Sequence, residues 1–125
     1  MERLWKELDA LGACTSEAIE RMMKNEALYL KCLKIFSGQA AETAMQEALE
    51  HRDYEELMFQ AHTFKGTTGN LSLTPLYQRY QKLERDLRNR QYEGIGEQLR
   101  ETLALQAEFC RVIDRADRLI SGISA

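Results

Sequence analysis

Apolar residues along the chain recur at steps of three and four, the spacing that lines one side of a helix, and nowhere alternate as in a half-buried strand. Leu4, Trp5, Leu8 and Leu11 form a first short run that stops at Gly12. Thr15 or Ser16 can cap a second short helix carrying Ile19, Met22 and Met23, which the Lys24-Asn25 pair ends. Asn25 is a competent N-cap for a long helix with the stripe Tyr29, Leu33, Phe36, Ala40, Ala44 and Ala48. The pattern predicts one element to about His51, with Gly38 inside it as a point of bending.

Asp53, with Glu56 three residues on, has the arrangement of a capping box. It precedes a helix with Leu57, Ala61, Phe64, Thr68 and Leu71 as its buried stripe. Thr74-Pro75 opens the next helix, proline being suited to a first turn whose N–H has no partner, and Leu76, Tyr80, Leu83 and Leu87 form its seam. A break over Gln91 to Gly96 precedes a last helix carrying Ile95, Leu99, Leu103, Gln106, Phe109 or Cys110, Ile113 and Ile120, expected to fray in the terminal SGISA. Four long amphipathic helices with short connections bury their stripes by packing as antiparallel neighbours. The expected fold is all-α: an up-down-up-down four-helix bundle with two short N-terminal helices, one domain over 1–125 with its core at about 26–120.

Composition supports the helices and narrows the classes. Only one proline, Pro75, interrupts 125 residues rich in helix formers. A chain of this length buries roughly two-thirds of its unfolded surface without staples. Cys14, Cys32 and Cys110 are odd in number and have no CxxC spacing, which disfavours a disulfide scaffold or zinc site and points to a reducing cytoplasm. Seventeen Lys and Arg against twenty Asp and Glu give a formal charge of −3, so the field of the whole chain does not suit nucleic acid. No signal peptide or membrane-length apolar run appears, and a cytoplasmic protein without a membrane partner is expected.

One stretch, AHTFKGTTGNL at 61–71, is not explained by bundle formation. Gly66 and Gly69 each cost a helix up to about 1 kcal/mol relative to alanine. His62 follows Ala61 of the buried stripe and so lies about 100° round the helix from it, at the core edge or in solvent. Met58, Phe59, Lys65, Gly66 and Gly69 share its patch. Neutral imidazole on a rigid helix can attack a phosphoryl group, Lys65 can offset the arriving negative charge, and Gly66 leaves room for a partner's site to close. Met58 and Phe59 would add apolar contact. Taken singly, each residue is more often a packed or solvated helix position than a functional one.

Together, His62-Thr63-Phe64-Lys65-Gly66 and the following Thr67-Thr68-Gly69-Asn70-Leu71 resemble the HxxKG signature of histidine-containing phosphotransfer (HPt) domains. The segment NEALYLKCLKIF at 25–36 is also similar, so the resemblance covers roughly 12–120. It implies a four-helix bundle, phosphorylation of His62, and response-regulator receiver domains as partners, with a hybrid histidine kinase as a further one. No cofactor is expected on this chain: it has no nucleotide loop or acidic Mg²⁺ cluster, and Mg²⁺ belongs to the partner receiver. Autonomous kinase activity is not expected. The function implied is relay of phosphoryl groups between receiver aspartates, and the alternative is a docking module of the same fold whose histidine is never phosphorylated.

Ser72 departs from the resemblance, standing where the family usually has glycine, and could help cap the next helix. The family often places a Gln or Glu against the histidine ring, and register points to Glu84. His62 and Glu84 are also equidistant from residue 73, so a hairpin turning there brings them level. Glu84 can equally be a solvated position paired with Arg88. His51 is placed to meet helix-terminal carbonyls. Neither histidine has a Glu three residues before it, which argues against a bundle metal site. Arg79, Lys82, Arg85, Arg88 and Arg90 are interrupted by Glu84 and Asp86 without interleaved aromatics, a pattern better suited to a solvated face or an acidic receiver pocket than to nucleic acid. Four long helices in one chain already close a core, so a monomer is expected.

Overall fold

The computed structural model describes residues 1–39 and 42–124, with side chains described through Ala116. These residues form helices α1 (Glu2–Ala10), α2 (Thr15–Arg21), α3 (Glu26–Gly38), α4 (Glu42–Glu50), α5 (Tyr54–Asn70), α6 (Thr74–Arg88) and α7 (Ile95–Ser124), and no strand is present among them. Ala40 and the side chain of Ile120, both expected in buried stripes, lie outside the described residues.

The expected single helix over 26–51 is instead two helices. Asn25 caps α3 as expected, its side chain accepting from the Leu28 N–H at 3.0 Å, but α3 ends at Gly38. Beyond the break the buried positions are Met45 and Ala48, while Ala44 is exposed. The break thus turns a large thioether side chain inward in place of a methyl group, which removes more apolar area from water.

The N-terminal region corrects two further expectations. Neither Thr15 nor Ser16 is the N-cap of α2; that position is Cys14, which offers no side-chain bond. The capping oxygens come from α1, where Asp9 accepts from the Thr15 N–H at 2.9 Å and from its hydroxyl at 3.0 Å. Met23 is exposed and, with Lys24, has positive φ, so the chain reverses there. At the other end of the chain α7 continues to Ser124, so the fraying expected from 121 is not seen.

The remaining stripes form the core. Leu57, Ala61, Phe64 and Thr68 of α5 face Leu76, Tyr80, Leu83 and Leu87 of α6, with Leu99, Leu103, Phe109 and Ile113 of α7 also buried. Phe64 stacks on Tyr80 at 5.5 Å and meets Phe36 edge-on at 6.2 Å. Each such large apolar side chain contributes about 1.5–3 kcal/mol on burial, enough to outweigh the propensity cost of two glycines in α5. Between α6 and α7, the Tyr80 hydroxyl donates to Gln106 Oε1 and Gln98 donates to Asp86 at 2.7 Å. The pairings 80–106 and 86–98 run in opposite directions and fix these helices as antiparallel. Ser37 of α3 donates to Asp114 of α7 at 2.6 Å, and α1 covers one side through Glu7 and Arg115, 3.5 Å apart.

Candidate functional site

The α5–α6 hairpin supplies every residue of the site. Asp53 caps α5 by accepting from the Glu56 N–H at 3.2 Å. The reciprocal half of the capping box is not made, because the Glu56 carboxylate accepts from Gln60 and the Asp53 N–H donates to the Ala48 carbonyl. At the other end the Tyr29 hydroxyl donates to the Leu71 carbonyl at 2.7 Å, and Arg21 donates to the Asn70 carbonyl at 2.7 Å. Ser72 has φ +54°, the left-handed region that favours glycine. Its hydroxyl does not cap α6, whose N-cap is Leu73; it donates to Glu17 at 3.1 Å and accepts from Arg21 at 3.3 Å. These long-range bonds hold the turn that sets α5 against α6, and no local sequence signal announces them.

With the turn fixed, residues 62 and 84 stand level. His62 Nδ1 lies 3.1 Å from Glu84 Oε1, and the imidazole is largely in solvent with 65 % of its side chain exposed. Glu84 is 2 % exposed, so the solvated alternative for this residue does not hold. Its pairing with Arg88 does, for the guanidinium donates to the same Oε1. The Lys65 ammonium stands 3.0 Å from Oε2 as an ion pair outside hydrogen-bond alignment. Burial by itself raises the Glu84 carboxyl, but Lys65 and His62 beside it outweigh that and hold it below the usual carboxylate range. An ionised carboxylate can only accept, so the Nδ1–H donates to it, and in the neutral imidazole this tautomer leaves the lone pair on Nε2.

Around the ring, Glu55, Met58, Phe59 and Arg88 line a shallow hollow with His62. Phe59 is 63 % exposed, and Met58 is half-buried against the core. Gly66 is exposed, and a Cβ there would meet nothing within 4 Å. Gly69 differs: a Cβ would stand 3.2 Å from Tyr77 Cδ2, so close packing of the hairpin accounts for its missing side chain. The sequence offers Arg88 both as an i+4 partner for Glu84 and as one of the basic positions of α6, and the structure gives Glu84 both His62 and Arg88 as neighbours. His51 lies apart, its Nδ1 2.8 Å from the Glu47 carbonyl at the end of α4.

Among the described residues, no group of three or more His, Cys, Asp or Glu could hold a metal ion, and no helix is long and apolar enough to cross a membrane. Comparisons with curated proteins and with solved structures found no match. A family model described as "Hpt domain" matches residues 35–119, beginning near the end of the upstream segment 25–36 on which part of the resemblance rested. The match spans more than half the chain and contains the whole α5–α6 hairpin with its histidine, lysine and glycines. The chain belongs to the Hpt domain family, whose members act in histidine phosphotransfer in two-component signalling.

Proposed function

We propose that His62 carries phosphoryl groups between aspartates of response-regulator receiver domains. The Nε2 lone pair attacks the phosphorus of a receiver aspartyl phosphate; the N–P bond forms as the P–O bond breaks, and the aspartate leaves as carboxylate with the electron pair. A second receiver aspartate reverses these steps. The observation that carries the reading is the contact of Nδ1 with buried Glu84, which fixes the ring and leaves Nε2 as the free nitrogen. Lys65 and Arg88 place two cations around one carboxylate, an excess of positive charge that suits an arriving phosphoryl group.

Phe59, Met58 and the bare backbone at Gly66 form the centre of the receiver-docking surface, with Gly69 at its margin. Mg²⁺ and the acyl-phosphate chemistry belong to the receiver, and a hybrid kinase is a further upstream partner. We read the chain as one cytoplasmic, monomeric domain in which α3 with α4, α5, α6 and α7 are the four members of an antiparallel bundle. Incubation with a phosphorylated receiver tests the assignment. Wild type is expected to gain an acid-labile, alkali-stable label that His62→Gln lacks, and a label persisting in that variant would overturn it. Receiver binding without any label would make the chain a docking module.

A further inference from the structure

Phosphohistidine can give up its phosphoryl group with the ring in either of two protonation states. When the other nitrogen carries a proton, P–N cleavage releases neutral imidazole; when it does not, the leaving group is imidazolate, far more basic and far slower to leave. The neighbour of Nδ1 therefore affects how long the phosphorylated form lasts. Here that neighbour is a full negative charge, 2 % exposed and 3.1 Å away, on a helix locked to the histidine's own by the turn at 71–73.

Resting on the reading of His62 as the phospho-acceptor, we propose that Glu84 keeps the Nδ1 proton in place after Nε2 is phosphorylated, making phospho-His62 a quickly discharged carrier and not a store. Glu84 is a positioning residue in this scheme, since it touches the ring and not the phosphorus. The charged groups facing the pair are Lys65 from α5 and Arg88 from α6, with Glu55 lining the hollow beside the ring. Both cations now sit on Glu84, and a phosphoryl dianion on Nε2 is a competing partner for them. Whatever share of the cations it draws away leaves the Glu84 charge more fully on the Nδ1 proton. On discharge the P–N electron pair returns to Nε2, phosphorus bonds to an acceptor oxygen of water or an aspartate, and Nδ1–H stays against Glu84. No other reactant is needed.

The test uses phosphoramidate as donor and ³¹P NMR to follow loss of the phosphoryl group across pH, with no receiver present. Glu84→Gln preserves an acceptor oxygen and removes the charge. Its midpoint for loss of phosphate should move toward acid by about one unit or more, so that discharge at alkaline pH slows about tenfold or more. An unchanged midpoint would overturn the proposal, because a purely steric role for residue 84 would not move a pH profile. If the variant does not fold, the phosphorylated wild-type chain is compared native and in urea. The native midpoint should then be the higher, and a lower or equal one overturns the proposal. Failure of the parent reading is distinguishable: wild type would take no label that His62→Gln lacks.

Discussion

At the scale of single residues, three positions on one short stretch of α5 have different physical reasons for their identity. Lys65 is an ion-pair partner of a buried carboxylate and, in the proposed relay, a charge for the phosphoryl group, so Lys65→Ala should act twice. Transfer from a phosphorylated receiver is expected to slow about tenfold or more, and removing the cation from Oε2 should cost about 1–3 kcal/mol in urea unfolding. Receiver affinity should change little, since a single surface charge contributes modestly to docking. Gly66 and Gly69 separate in the opposite sense. Gly66→Ala meets open space and should stabilise the helix by up to about 1 kcal/mol while impairing transfer through the added methyl at the proposed docking surface. At Gly69 the same methyl presses on the Tyr77 ring, and the stability gain should be smaller or reversed. Thermal melts of the two variants beside transfer kinetics check both statements. A Gly66→Ala protein that melts earlier yet transfers normally would remove the access argument.

At the scale of elements, the helices are ended by groups borrowed from one another. Asp9 lies in α1 but satisfies the first N–H and hydroxyl of α2, and Arg21 lies in α2 but satisfies carbonyls at the end of α5. The short N-terminal helices therefore reach the site indirectly, through the turn that sets residues 62 and 84 level. Asp9→Ala should cost about 1 kcal/mol of stability, the usual cost of a lost cap, with phosphoryl transfer by the folded protein unchanged. Chemical denaturation and a transfer assay read these two quantities separately; an unaltered unfolding midpoint would mean that water replaces Asp9 without loss.

The whole molecule should respond to acid through the carboxylates that join its helices. Glu84 is held below its ordinary value of 4.5 despite burial, which alone would raise it, because Lys65 and His62 favour its charged form. Asp86 is held below 3.8 by hydrogen bonds from Gln98 and Lys82. A lowered native value means that the unfolded state binds more protons in this range, so the stabilisation is complete above the ordinary value and is lost as pH falls through the native one. Stability should fall steeply below about pH 4.5. Glu84→Gln should flatten that fall, as read from urea midpoints across pH. An identical slope in the variant would show that other carboxylates carry the acid transition.

The sequence by itself determined the helical class, most element boundaries and the candidate phospho-acceptor, because these depend on local signals: a 3.6-residue period, caps at Asn25 and Asp53, Pro75 in a first turn, and the HxxKG spacing. It also placed His62 and Glu84 level, since a hairpin's pairing follows from counting outward from its turn. What only the tertiary structure decided depends on groups distant in sequence. Whether Ala44 or Met45 faces inward was settled by the break after α3 and the packing beyond it. Positive φ at Ser72 is held by Arg21 and Glu17, more than fifty positions away. Gly66 and Gly69 read alike as weak helix formers; packing alone distinguishes the one in open space from the one beneath Tyr77. Glu84, a solvated residue by pattern, is buried among His62, Lys65 and Arg88 because the hairpin closes over it, and burial strengthens the interaction of its charge with those neighbours.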